Sequence, residues 1–533
     1  MWSLSTGLIG HRRRDRRSRV EDVSLQDAVQ KNPLNSPGLA GEESIRVRFY
    51  AILTVLATLR LWVMPLNASL WLDETATFWS AYKGVGAAVN RSRLWPGQNL
   101  CYTLLEAIVI RVGGPSEVML RLPSLLAAIA SAWLIFRLGT RLFDKETGML
   151  AVLVFVSSEA MMETAANARP YAIGLLLAVA ATLQLLRWFE KRRLTDMLCY
   201  IVLAAAIVYF HILFATIYLV HAAYALYEAR HNTDVRWQTI IIAAALIGLL
   251  ILPLLWSVAE RGRISTQSSW AGSPSPGALV SALMPTILGA SIFAGLLVSL
   301  SFHEMNFRSY PQMPRKTAFL LVSWLIIPII ALFLISRFTG FKVFVPRYYL
   351  PALAALPLIV GWGIRGLAVP RMRLWLSACI VFGAVLSFGG FELKSSYHRE
   401  DWRTMASTVR MAGVNNDTPI LLRTGFIETA TIRWNADIDR DSPLLCPLSK
   451  YPIPGRVIVV PRQLDQTSVR YLDGIASTIL EPAQQFVLIT RGDSDEVRPW
   501  FVGRLYNLGF VTTNLYQSEV LSATLFRRTR IEQ

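Results

Sequence analysis

The chain has 533 residues, 53% of them hydrophobic and only 17% charged, with a mean hydropathy of +0.41. A soluble protein of this size carries nearer a quarter charged residues, so a wholly soluble fold is excluded. The formal net charge of +17 does not signal nucleic acid, because the lysines and arginines sit mostly in short loops between apolar runs, as in membrane proteins that keep basic loops inside.

The first 44 residues are polar and carry the cluster His11-Arg12-Arg13-Arg14-Asp15-Arg16-Arg17-Ser18-Arg19. No apolar stretch comes early enough for a cleaved signal peptide, and 1–44 reads as a disordered cytoplasmic tail that sets the first span inside-to-outside. Runs of about 20 apolar residues, enough to cross roughly 30 Å of hydrocarbon, then predict eleven helical spans. They fall near 46–66, 119–140, 147–163, 170–188, 195–210, 212–228, 238–258, 278–302, 317–336, 348–368 and 373–390, the fifth and sixth parted only by His211. Arg137/Arg141/Lys145, Arg187/Lys191/Arg192/Arg193, Arg230/Arg236, Arg308/Arg315/Lys316 and Arg365/Arg371/Arg373 fall on one side, together with the amino-terminal cluster.

The first outer loop, 67–118, is long and holds amphipathic stretches near Thr75–Val89 and Asn99–Val112, expected to lie in the membrane interface with Trp71, Trp79 and Trp95 at headgroup level. From about 391 short β-type runs appear at Pro419–Leu422, Arg456–Val460, Gln485–Thr490 and Ala523–Arg527. They alternate with helix-type stretches such as Asp401–Met411 and Glu496–Leu508. The expected architecture is an α-helical polytopic membrane domain over 45–390, amino terminus in and carboxy terminus out, then a small extracytoplasmic α/β domain over 391–533. The four cysteines, Cys101, Cys199, Cys379 and Cys446, show no metal-ligand spacing. A Cys101–Cys446 disulfide is open, with free thiols the expectation.

Three polar groups stand at outer ends of spans. Leu70-Trp71-Leu72-Asp73-Glu74-Thr75 follows the first span. A carboxylate there takes a proton from a hydroxyl, or Asp73 caps the next helix with Glu74 in its first turn. Asn167-Ala168-Arg169-Pro170-Tyr171 places an arginine before a span that Pro170 opens; its fork suits phosphate, or it snorkels. Phe344-Val345-Pro346-Arg347-Tyr348-Tyr349-Leu350-Pro351, with Arg337 and Lys342 nearby, puts cations on the side where the bias disfavours them, which suits an anion site or interface anchoring. His211, Glu159, Glu163 and Gln267 are weaker candidates. Arg60, late in the first span, needs the interface or an internal partner.

In order, the Asp-Glu pair after the first span, Ala168-Arg169-Pro170-Tyr171, and Pro346-Arg347-Tyr348-Tyr349-Leu350-Pro351-Ala352 resemble the GT-C superfamily of membrane glycosyltransferases. The nearest branch is that of dolichyl-phosphate-mannose–protein mannosyltransferases and the lipid A aminoarabinose transferase. Glu117-Val118-Met119-Leu120-Arg121-Leu122-Pro123-Ser124 is similar to that branch's approach to its second span, and Glu400-Asp401-Trp402-Arg403 to the start of the outer domain in bacterial members. The resemblance implies a polyprenyl-phosphate sugar as donor, an inner (plasma) membrane location with an outward site, and inversion of the anomeric centre. It also implies Asp73 as general base, Glu74 supporting it or contacting the acceptor, and Arg169 and Arg347, with Lys342 and Tyr348, holding the carrier phosphate. Some members use a divalent metal and others do not. Asn167 stands where relatives often have an acid, which argues against a metal here; Glu163, one turn away, is the substitute, and His211 a further support. The acceptor, whether glycan, lipid or protein, and the sugar are not set by the sequence. A transporter or flippase is the rival reading; it calls for inverted repeats or charged helices at the midplane, and neither is visible.

Overall fold

Lipid leaves backbone N–H and C=O groups no outside partner, so apolar runs must close their hydrogen bonds within helices. The computed structural model describes residues 37–94, 99–232, 235–262, 272–302, 312–388, 400–426, 429, 441–492 and 496–528. The amino-terminal arginine cluster, Trp95, Gln267 and Arg308 lie outside them.

The first helix, α1 (Pro37–Thr58), runs on through a π-helical turn, Leu59–Val63, and a 3-10 turn, Met64–Asn67. Three shorter helices follow: α2 (Leu72–Ala81), α3 (Val85–Leu94) and α4 (Leu100–Gly113). Then come α5 (Glu117–Leu142), α6 (Lys145–Val156), α7 (Glu159–Ala165), α8 (Tyr171–Lys191), α9 (Leu194–Phe210), α10 (Ile217–His231), α11 (Trp237–Gly262), α12 (Pro276–Leu283), α13 (Thr286–Phe302), α14 (Arg315–Phe338), α15 (Leu350–Arg365) and α16 (Pro370–Ser387).

Among the described residues seven helices are long and apolar enough to cross a membrane. Two bent pairs, α6–α7 at 67° and α12–α13 at 56°, raise the number to nine. The remaining two of the eleven expected spans, α9 and α15, are shorter apolar helices. Each bend has a local cause. Ser158, extended, restarts the chain as the cap of α7. Pro285 forces Met284 out of the helical region, to φ −136° and ψ 90°.

The basic loops meet at one end of the bundle. Arg141 pairs with Glu190, Lys316 with Glu228, Arg365 with Asp144, and Arg46, Arg365 and Arg373 all with the fully buried Glu146. At the other end stand Asp73, Arg169, Arg347 and a five-stranded sheet of order β2-β1-β3-β5-β4. Its strands are β1 (Pro419–Arg423), β2 (Arg456–Val459), β3 (Gln485–Arg491), β4 (Phe510–Gln517) and β5 (Leu521–Arg528). β1 runs parallel to β2 and β3, while β5 is antiparallel to β3 and β4.

Alternation along the strands gives the sheet two apolar faces. Leu421, Ile458, Phe486, Leu488 and Phe526 pack with α19 (Gln466–Ile475) and α20 (Val497–Leu505), numbering the domain's helices from α17 (Trp402–Met411) and α18 (Cys446–Lys450). Ile420, Leu422, Val459, Val487 and Leu525 face α17 and join one core with Leu70, Trp71, Phe78 and Trp79. Trp71 and Trp79, expected at headgroup level, are shielded from any lipid by protein: they are buried against the carboxy-terminal domain, 7% and 3% exposed. That domain supplies the apolar cover, and it accepts the Trp79 indole N–H on the Asp441 carbonyl at 3.1 Å. The four cysteines are free thiols.

Candidate active site

The site is built on one buried arginine. Arg121 of α5 donates Nη1 to the carbonyls of Pro65, Leu66 and Ala68 at 3.1, 3.0 and 2.7 Å, and Nη2 to that of Ser69 at 3.0 Å. Those carbonyls close α1 and begin the connection to α2, and a helix end leaves its last carbonyls without internal partners. Arg121 also forks onto Glu74, Nε to Oε1 at 2.8 Å and Nη2 to Oε2 at 2.5 Å. Glu74 accepts the Ala168 N–H at 2.7 Å and, as half of a capping box, the Trp71 N–H at 3.1 Å. With four donors on its two oxygens and no exposure, Glu74 is turned inward and ties the Asp73 turn to the Asn167–Arg169 turn.

Glu74 and Trp71 cap α2, which leaves the Asp73 side chain for other work. Its Oδ2 lies 3.5 Å from Arg347 Nη1, and a quarter of its side chain is exposed. Arg169 Nη1 donates to the Asp73 carbonyl at 3.4 Å and to the Thr77 hydroxyl at 3.2 Å. Arg169 and Arg347 both lie over Tyr171, with guanidinium carbons 5.8 and 6.0 Å from the ring centre, and Arg347 also lies over Trp71 and Tyr348. Burial works against the Arg347 charge, but Tyr171 and Asp73 outweigh it and hold the guanidinium above its ordinary value. The His211 ring packs against Tyr171, Phe214 and Tyr348, with centres 5.2, 4.5 and 5.3 Å away. Residues far apart in sequence thus form one aromatic box around two cations and one carboxylate.

The other candidates divide. Glu163 on α7 is near enough to feel the charges of Arg347 and Asp73. Asn167 accepts the Trp71 indole N–H at 3.2 Å, so it braces the box and does not point a charge into it. Lys342 is not brought to Asp73: its Nζ donates to the carbonyls of Ser336 and Thr339 at 2.8 and 3.0 Å and caps α14. Arg60 reaches the Phe388 carbonyl at 3.4 Å. Among the described residues no three His, Cys, Asp or Glu side chains come together as for a metal. Two guanidiniums stand beside Asp73, an arrangement that suits an anion.

Arg121 is a site residue that the sequence reading did not single out, although it appeared within a motif. The available signal was an arginine inside a predicted span, where a charge needs a partner.

The model of the dolichyl-phosphate-mannose-protein mannosyltransferase family matches residues 99–256. No curated protein matches the chain by sequence. Among solved structures, ArnT from Cupriavidus metallidurans in the apo state superposes with a TM-score of 0.55 at 10% identity, over 89% of this chain and 97% of that one. ArnT from the same organism bound to undecaprenyl phosphate gives 0.54 at 10% identity over the same shares. The family match spans the stretch that carries Arg121, Arg169 and His211, and the chain is a multi-pass membrane protein with the GT-C glycosyltransferase fold.

Proposed function

We propose that the chain transfers a sugar from a polyprenyl-phosphate carrier to an acceptor hydroxyl or amine at the membrane surface, with Asp73 as general base. The observation that carries this reading is the meeting of the Asp73 carboxylate and Arg347 at 3.5 Å, with Arg169 beside them, at the end of the bundle that bears the carboxy-terminal domain. ArnT, a structural neighbour, binds undecaprenyl phosphate, and a phosphate is the ligand that one buried and one half-buried guanidinium suit.

Arg347 lies 3.5 Å from Asp73. When a carrier phosphate arrives, its oxygens compete for Arg347 and Arg169, and Asp73 is released to face the acceptor. The acceptor oxygen or nitrogen attacks the anomeric carbon while its proton passes to Asp73. The bond from that carbon to the phosphate oxygen breaks with its electron pair on the oxygen, and polyprenyl phosphate departs with its charge held by the arginines. Attack opposite to departure inverts the centre. Glu74 is a positioning residue in this scheme, because its oxygens are already committed. The site faces outward from an inner membrane, the carboxy-terminal domain is extracytoplasmic, and the basic end of the bundle faces the cytoplasm. Domain limits near 45 and 391 separate tail, transferase domain and outer domain.

The test uses purified protein in vesicles with a panel of undecaprenyl-phosphate-linked hexoses and pentoses as donors, and membranes from cells lacking the chain as acceptor source. Asp73→Asn is expected to fold normally and lose transfer. Wild-type transfer by that variant would remove Asp73 from the chemistry.

A further inference from the structure

The segment that delivers Asp73 to the site hangs partly on the carboxy-terminal domain. Three successive N–H groups precede Asp73. That of Trp71 goes to Glu74, but the other two leave the membrane domain. Leu70 donates to the Tyr451 hydroxyl at 2.8 Å, and Leu72 donates to Glu400 Oε2 at 3.0 Å. The segment's edge is further fixed by Arg403, whose N–H reaches the Ser69 hydroxyl at 3.2 Å and whose Nη2 reaches the Asn67 carbonyl at 3.0 Å.

Glu400 is the buried charge of this set, 2% exposed, whereas the Arg403 side chain is half-open to solvent. A buried carboxylate is costly unless its oxygens are filled, and both are. Oε2 also accepts the Trp402 indole N–H at 2.9 Å, and Oε1 accepts Arg491 Nε and Nη2 at 2.9 and 2.7 Å. Arg491 ends β3, and its own carbonyl accepts Arg423 Nη1 from the end of β1 at 3.2 Å. The path therefore runs from the sheet through Arg491 and Glu400 to the backbone of Leu72, the residue bonded to Asp73.

We propose that Glu400 is a positioning residue for the Asp73 centre: clamped by Arg491 and Trp402 of the carboxy-terminal domain, it fixes the Leu72 backbone and so sets Asp73 against Arg347. The proposal rests on Asp73 being the base. It gives the carboxy-terminal domain a part in catalysis without contributing a reacting group. The two arginines that hold phosphate are anchored on other segments, ahead of α8 and α15, and touch this turn only at their tips, so the effect falls chiefly on turnover and less on carrier binding. A displacement of about 1 Å at a reacting group costs on the order of a hundredfold in rate.

The test compares Asp73→Asn, Glu400→Ala, Glu400→Gln and Arg491→Gln in the vesicle assay, with affinity for undecaprenyl phosphate alone and thermal unfolding measured in parallel. Glu400→Ala is expected to lower kcat about tenfold to a hundredfold while the donor KM and the affinity for undecaprenyl phosphate stay within about twofold. Glu400→Gln keeps an oxygen for the Leu72 N–H and recovers most of the loss. Arg491→Gln, which leaves Glu400 held by Trp402 alone, falls between them. Wild-type kcat in folded Glu400→Ala overturns the proposal, as does an equal loss of carrier affinity. Should Glu400→Ala not accumulate, wild-type kcat in folded Arg491→Gln overturns it equally. Loss of transfer in Asp73→Asn with none in the Glu400 and Arg491 variants sinks this proposal and leaves the function standing. Full transfer in Asp73→Asn removes Asp73 as the base, the reading on which this proposal rests, whatever the Glu400 variants do.

Discussion

Arg347 has two anions to serve, the Asp73 carboxylate beside it and the phosphate assigned to it, and only a planar fork can pass from one to the other without losing its stacking on Trp71, Tyr171 and Tyr348. A lysine keeps the charge and loses the fork and the stacking. Arg347→Lys is therefore expected to weaken binding of undecaprenyl phosphate and to lower the transfer rate by about tenfold to a hundredfold, on the order of 1.4–2.7 kcal/mol. An unchanged affinity would show that Arg347 does not hold the phosphate. Glu106 on α4 poses a different problem. It is fully buried beside Tyr102, outside the spanning helices, and burial raises its carboxyl to about 8, with the Glu74 charge adding to the rise. The folded protein keeps a proton there that the unfolded chain releases near pH 4.5. The stability that this group contributes is thus full below about pH 4.5 and declines as the pH climbs to about 8, where the loss levels off. Glu106→Gln removes this dependence. Unfolding temperatures at pH 5.5 and 8 should lie closer together in the variant than in the parent, and an equal separation in both would refute the assignment. The sequence made Asp73, Arg169 and Arg347 legible because each is a charge at the rim of an apolar run. It hid Glu106, which reads as one more polar residue on an amphipathic stretch.

Among the elements, the turn from α1 to α2 depends most on a partner far away. Arg121 lies between 47 and 56 positions from the groups it binds, so no local pattern announces it. Replacing it with alanine strands the Glu74 charge in a buried site and frees the carbonyls of Pro65, Leu66, Ala68 and Ser69. Breaking such a pair from one side costs roughly 3–5 kcal/mol, and Arg121→Ala should fail to accumulate or should unfold at a sharply lower temperature in detergent. A variant with the parent's unfolding temperature would mean that the turn is held by something else. The same logic explains what was legible in the elements. Long apolar helices announced themselves by composition, and the expected β runs fall within β1, β3 and β5 and overrun β2 by Val460 alone. β4 was missed because its residues are mostly exposed and polar at the sheet edge, without the alternation that buried strands show. The bend at Met284-Pro285 was readable from the proline, whereas the break after α6, at Ser157-Ser158, has no such marker.

Across the whole molecule, two buried ionic locks hold opposite ends of the bundle. Arg121–Glu74 sits at the Asp73 end. At the other end Glu146, at the start of α6, gathers Arg46 from α1, Arg365 from α15 and Arg373 from α16, at 3.5, 3.3 and 3.0 Å. That single carboxylate joins four helices whose order in the chain is scattered, which is why the sequence showed only loops of like charge. Three guanidiniums around one anion repel one another once the anion is gone, and the Tyr50 hydroxyl, 3.5 Å from Oε1, is left to compete with them for a single amide oxygen. Glu146→Gln is therefore expected to destabilise the bundle by about 3–5 kcal/mol, seen as a lower unfolding temperature and faster proteolysis of the basic loops. The site at the other end has its own lock and shares no side chain with this one, so the transfer rate per folded molecule should match the parent. A variant that stays stable but loses transfer would show that the two ends are coupled through the helices, and the separation of stability from chemistry argued from these contacts would fail.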